Sequence, residues 1–98
     1  MNLYDCIIPK VGESFTTLLE HKNIKIVHIV SSDKIEPIEY IQEEDEWILL
    51  LEGEATLLLN QKEITLLKGE SLFIPSKTPH CVTKTQKGTL WLAVHLYK

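Results

Sequence analysis

Beyond Asn23 the apolar residues of this chain recur in short runs, and turn residues separate each run from the next. Lys25–Val30 (KIVHIV) is rich in β-branched residues, the composition of a pleated, half-buried strand. Ile35–Gln42 (IEPIEYIQ) alternates, with Ile35, Pro37, Glu39 and Ile41 on one side and Glu36, Ile38, Tyr40 and Gln42 on the other. Pro37 has no N–H to give to a ladder, so this strand is predicted at an edge or with a bulge. Glu46–Glu52 is apolar on both faces: Ile48 and Leu50 share the parity of Glu46, while Trp47, Leu49 and Leu51 have the other. A strand wet on one side does not read that way. Gly53 turns the chain, and Ala55–Asn60 and Glu63–Lys68 form a hairpin around Asn60–Lys62. Ser71–Ile74, His80–Thr85 and Thr89–Tyr97 complete the series, separated by the PSKTP loop and the Gln86–Gly88 turn. About eight short strands with turn chemistry between them predict an all-β antiparallel sandwich or barrel.

The chain before Asn23 reads differently. Residues 1–12 are punctuated by Pro9 and Gly12 and predict an irregular segment. Phe15, Leu18 and Leu19 fall at the i, i+3, i+4 spacing of a helix face. That spacing predicts one short helix over residues 13–21, with Ser14 as its N-cap, covering an end or edge of the sheet. His21 would close that helix, where a cation suits the dipole. The 98 residues suffice for one domain and not two, divided into an N-terminal segment at 1–24 and a barrel at 25–97.

Composition narrows the partners. The net charge is −4, and all ten basic residues are lysines. A nucleic-acid partner wants a basic face, so none is expected. Without arginine there is no planar fork for a phosphate or carboxylate, although lysine can serve as a point charge. No apolar run approaches the ~20 residues that span a bilayer. The start, MNLYDCIIPK, lacks a basic n-region leading into a long apolar stretch, so no membrane partner is expected and the cytoplasm is the expected location. Cys6 and Cys81 are far apart, lack a metal-type spacing, and read as two reduced thiols.

Two spacings carry candidate chemistry. Gly69, Pro75 and His80 match the second sequence motif of the cupin superfamily, except that Lys77 and Lys84 stand at its next glycine and its asparagine. Glu46 and Gly53 match the first motif, whose two histidine positions fall here on Tyr40 and Gln42. The chain therefore resembles the cupins over about residues 25–97. It is most similar to small single-domain bacterial members with an EWILLLEGEATL stretch, an Ile-Pro pair, a histidine and a terminal WLAVH, present here as Glu46–Leu57, Ile74-Pro75, His80 and Trp91–His95. In that group an arginine often follows the histidine, where this chain has Cys81. The resemblance implies a cupin-type β-barrel or jelly roll with its first metal motif degenerate.

Carried over position by position, the cupin metal site falls on Tyr40, Gln42, Glu46 and His80. Residues 40, 42 and 46 share a parity and can face one interior. The resemblance implies one divalent ion, zinc, iron, manganese or nickel, on Gln42, Glu46 and His80. Without a metal, His80 would instead hydrogen-bond Glu46 or Tyr40. His95 shares a face with Trp91 and Ala93 and is either a further ligand, a proton carrier, or a rim histidine satisfied by backbone. The expected pocket is Tyr40, Gln42, Glu46, Ile48, His80, Trp91 and His95, with Tyr40 and His95 as acid–base candidates. His28, alone in KIVHIV, either faces the same interior or is structural, the commoner role of a lone strand histidine, and Glu43, Glu44 and Asp45 read as a solvated turn without a calcium-loop pattern. Cys81 adjoins His80, so the two should point to opposite faces and form no catalytic pair.

These readings give a small-molecule-binding barrel whose pocket holds a divalent metal or none. The alternatives are a metal-dependent isomerase or dioxygenase acting on a small polar metabolite, and a structural module with a vestigial pocket. Trp47, Leu49, Leu92 and Val94 make an apolar outer face that a monomer seldom leaves bare, so a homodimer is expected.

Overall fold

A computed structural model describes all of residues 1–98 as eight antiparallel strands in two sheets. They are β1 (Glu13–His21), β2 (Ile24–Ser31), β3 (Asp45–Glu52), β4 (Glu54–Leu59), β5 (Lys62–Leu67), β6 (Ser71–Ile74), β7 (His80–Thr85) and β8 (Thr89–Leu96). One sheet has the order β1-β2-β8-β3-β6 and the other β5-β4-β7. The two sheets close over one core of Val27, Ile48, Leu50, Ala55, Leu57, Leu66, Ile74, Trp91 and Ala93. This is the jelly-roll barrel the strand spacing predicts.

Local chemistry sets the corners. Asn60 and Gln61 both have positive φ, the conformation of a two-residue hairpin turn whose twist matches its strands. Gly53, with φ +84°, carries the chain from β3 in one sheet to β4 in the other. A Cβ there would lie 2.9 Å from Thr89 Oγ1 and 3.1 Å from Thr89 Cα, so glycine is required on both counts.

Two expectations are corrected. Residues 13–21 form the edge strand β1, not a helix, and the structure contains no helix. The misleading spacing has a physical origin. β1 pairs with β2 in register from Glu13 to Thr17, then slips at Leu18, and Leu19 resumes opposite Ile26. A bulge adds one residue and resets the period-2 alternation, so Phe15 and Leu19 fall on opposite faces. Phe15, Thr16 and Thr17 are good strand formers, and the open edge of β2 supplies the hydrogen bonds that decide the matter. His21 thus ends a strand and no helix dipole acts on it.

Residues 35–42 are likewise not a strand. They run as an irregular crossing tied down at Tyr40, whose N–H and C=O both bond the backbone of His80 at 2.8 and 3.0 Å. Pro37 removes a donor from the middle of the segment, and the alternating pattern alone does not supply a partner strand. The N-terminal segment lies over the outer face of the larger sheet: Leu3 O meets His28 Nε2 at 2.8 Å, and Ile8 packs on Gly88. His28 is therefore a satisfied structural residue, as its isolation in sequence suggests.

Candidate functional site

The inner face of the five-stranded sheet is laid out in rows that cross the strands. Phe15, Ile29, Trp91 and Leu50 form one row; Thr17, Val27, Ala93, Ile48 and Leu72 form the next. Beyond it comes Glu20, Lys25, His95, Glu46 and Ile74. Residues opposite one another in a ladder share a face, so this last row turns polar side chains inward where the preceding rows are mainly apolar. β7 brings His80 from the smaller sheet, and the crossing segment brings Tyr40 and Gln42. Together they border a cavity of about 420 Å³.

The polar groups are held from behind. His80 Nδ1 lies 3.0 Å from Thr78 O, and a carbonyl can only accept, so Nδ1 carries the proton. His95 Nδ1 lies 2.9 Å from Glu44 Oε2 and donates in the same way. In their neutral forms both imidazoles then offer an Nε2 lone pair to Glu46. His80 Nε2 stands 3.8 Å from Glu46 Oε1, and His95 Nε2 stands 3.7 Å from Glu46 Oε2. Neither distance is a hydrogen bond. The one side-chain donor on Glu46 is Gln42 Nε2, at 2.7 Å from Oε1. No fully enclosed polar side-chain atom lacks a partner, so the unpaired nitrogens are those that meet the cavity.

Backbone geometry fixes the crossing segment in place. Lys77 N–H donates to Gln42 O at 2.7 Å, and Lys77 has φ +60°. This is the position where the motif expects glycine, and the left-handed conformation explains that expectation. The Tyr40 and His80 rings stack with centroids 6.0 Å apart, placing a half-exposed tyrosine at the cavity mouth.

All seven expected pocket residues, Tyr40, Gln42, Glu46, Ile48, His80, Trp91 and His95, line this cavity. Lys25, Val27 and Ile29 line it too; the alternation of KIVHIV groups these three but does not say that their side, and not that of His28, faces inward. Glu44 was missed for a better reason. It and Asp45 are not part of a solvated turn: Glu44 holds His95 and lies 3.4 Å from the Tyr97 hydroxyl, and Asp45 Oδ1 accepts from Ser76 N–H at 2.7 Å. Only Glu43 of the three is exposed. Burial raises the Tyr97 phenol above its ordinary value of 10.0, and the Glu44 carboxylate adds to the rise. Cys6 and Cys81 are free thiols. Cys81 Sγ turns to the Val82 carbonyl at 3.7 Å.

The donor types suit a metal better than their placement does. Two imidazole nitrogens and a carboxylate are present, but Gln42 spends its amide on Glu46, and Tyr40 adds no imidazole. No group of three or more His, Cys, Asp or Glu side chains is drawn together as a metal centre. Tetrahedral ligands about 2.1 Å from one ion sit about 3.4 Å apart, closer than the 3.7 and 3.8 Å found around Glu46.

Two sheets closed over a cavity, with one inward polar row at its mouth, define a small antiparallel β-barrel of the jelly-roll class. The chain belongs to the cupin domain family, whose model matches residues 25–95. A Ralstonia eutropha JMP134 protein, provisionally named a mannose-6-phosphate isomerase, is 29% identical, with a TM-score of 0.89 over 100% of this chain and 97% of that one. A cupin superfamily protein from Desulfitobacterium hafniense DCB-2 is 20% identical, with a TM-score of 0.83 over 98% and 87% of the two chains. KdgF from Halomonas sp. is 14% identical, with a TM-score of 0.82 over 89% and 80%. The last two show the fold alone. Among proteins of curated function, none matches this chain.

Proposed function

We propose that this chain is a ligand-binding cupin whose cavity takes one small organic molecule. Gln42, Glu46, His80 and His95 meet its polar head, and Tyr40 borders the entrance. One observation carries this reading: these groups arrive from the crossing segment, β3, β7 and β8, and converge on one cavity. A barrel that needed only stability would gain nothing from a carboxylate there, because a buried charge costs several kcal/mol unless well paired. Thermal unfolding against a panel of small metabolites tests it. At least one compound should raise Tm, and Glu46→Gln and His80→Ala should reduce the gain. A panel without effect points instead to a vestigial pocket.

A second reading is a metal-dependent isomerase on Glu46, His80 and His95. It is favoured by the two imidazoles whose Nε2 atoms face one carboxylate and whose Nδ1 atoms are held from behind, and by the likeness to the Ralstonia protein. A bound divalent ion would act as a Lewis acid that polarises a substrate carbonyl. The three side chains would orient it, with Thr78 O and Glu44 fixing the ring tautomers. Metal analysis of protein purified without a His tag decides: near-stoichiometric metal, lost in His95→Ala, supports this reading, and a trace amount removes it.

We further propose that the chain is a single folding unit that pairs as a homodimer through its outer face. Leu19, Ile26, Val94, Trp47 and Phe73 lie opposite one another across all five strands of the larger sheet, with Leu49 and Leu92 as the adjacent pair. Trp47 and Phe73 are 39% and 48% exposed. Light scattering should give twice the chain mass of 11.3 kDa. A monomer at micromolar concentration refutes the pairing.

A further inference from the structure

We propose that the cavity selects an amphipathic amine, an apolar body carrying one protonated amino head, and rejects sugar phosphates. The inference rests on the interior cavity being the ligand site, and it is argued from how polarity is distributed there.

Polar side chains border the cavity at two places: Glu13, whose carboxylate is taken up by the Ser31 hydroxyl, and the group of Gln42, Glu46, His80 and His95, whose capacity is not. Most of its wall is aliphatic or aromatic, with Val27, Ile29, Leu57, Ile74, Val82 and Trp91 in contact with any occupant. A hexose carries hydroxyls all round its ring. Against these side chains each would lose its water and gain nothing. The phosphate fares no better. The chain has no arginine. Lys25, the one lysine that lines the cavity, is 3.9 Å from Glu20.

The polar end has a definite sign. With Nδ1 of both histidines committed to Thr78 O and Glu44, the groups left around Glu46 for an occupant include His80 Nε2, His95 Nε2 and Glu46 Oε2, with the Gln42 amide oxygen and the Tyr40 hydroxyl also lining the cavity. In the neutral state of the rings His80 Nε2, His95 Nε2 and Glu46 Oε2 are all acceptors, as is the Gln42 amide oxygen. A primary ammonium has three N–H donors and a positive charge. It satisfies three of these acceptors at once and neutralises a carboxylate whose side chain is only 10% exposed. A carboxylate or phosphate head would face Glu46 as a like charge. The aliphatic rows then receive the apolar body, with Trp91 as its aromatic wall.

Three probes share an aromatic body and differ in head, benzylamine, benzyl alcohol and benzoate; a fourth, mannose 6-phosphate, is the larger sugar phosphate. Binding is measured by two-dimensional NMR titration at pH 7.5 with chelator present. Benzylamine should bind most tightly, with shifts at Trp91 and His95. Glu46→Gln should weaken it about tenfold, the scale of one charge-assisted hydrogen bond, and leave benzyl alcohol nearly unchanged. The amide spectrum reports whether each variant is folded, and His95→Gln is the second variant, expected to weaken benzylamine without abolishing it. Tighter binding of benzoate, benzyl alcohol or mannose 6-phosphate overturns the inference, as does a benzylamine affinity indifferent to Glu46→Gln or dependent on added metal. Binding of mannose 6-phosphate alone overturns it and leaves the ligand-binding reading standing. Silence from all four probes overturns the inference, and the metabolite panel then decides separately whether the cavity binds any ligand.

Discussion

The inner face of the larger sheet carries two buried polar clusters, separated by six residues along β2 and β8, or about 20 Å. They solve opposite problems. At one end, Trp91 Nε1–H donates to Ser31 Oγ at 2.9 Å, and Ser31 Oγ–H donates to Glu13. Thr85 Oγ1–H donates to Ser32 O at 2.6 Å, and Thr89 Oγ1 accepts from Gln86 N–H at 2.8 Å while donating to Glu54 O at 3.2 Å. Each hydroxyl there has a protein partner. At the other end His80 and His95 are held from behind but stand 3.8 and 3.7 Å from Glu46. The first cluster welds strands and loops together. The second leaves acceptor capacity unspent toward a cavity. Burial of polar groups is common to both, and completeness of hydrogen bonding separates scaffold from site.

That contrast can be broken by mutation. Leu50, fully buried between the two clusters, sets the scale: Leu50→Ala should cost about 2–5 kcal/mol in urea unfolding. A cost under 1 kcal/mol would mean that the core is not shared between the ends. Next comes Thr89→Val, which keeps the shape and removes both hydroxyl bonds. It should cost about 1–3 kcal/mol and leave ligand binding alone. Glu46→Gln should do the reverse. Its stability should stay within about 1 kcal/mol of the parent, because a weakly paired buried carboxylate contributes little to folding. A loss as large as that of Thr89→Val would make Glu46 a structural residue and erase the distinction.

The smallest effect lies at the rim. Burial and Glu44 raise the Tyr97 phenol above 10.0. A raised folded value gives a stabilisation present below the unfolded value near pH 10 and lost as pH climbs through the folded value. Tyr97 is 42% exposed, so solvent screens the effect strongly. Alkaline titration of the tyrosine ring signals should show Tyr97 ionising last, and Glu44→Gln should bring it back toward the other tyrosines. An unmoved Tyr97 would mean that Glu44 is not close to it in solution, and would weaken the case that Glu44 fixes His95.

Much of this molecule was legible in the order of its residues. The period-2 runs specify the strands from Ile24 onward, because side-chain alternation is a local property of extended chain. Gly53 and Asn60 mark corners because their backbone conformations are local as well. The parity of Glu46, Ile48, Trp91 and His95 decides which side chains can face inward, and the motif spacing puts His80 near them. What the tertiary structure decided is non-local. β1 is a strand because the free edge of β2 offers hydrogen bonds to a bulged segment that reads as a helix on its own. Residues 35–42 alternate like a strand yet stay irregular, because β-structure needs a neighbour and Tyr40 alone finds one, in His80. Glu44 sits in an acidic run that looks solvated until β8 places His95 against it. Pattern along the chain governs which way a side chain points, and only the folded pairing determines what it meets.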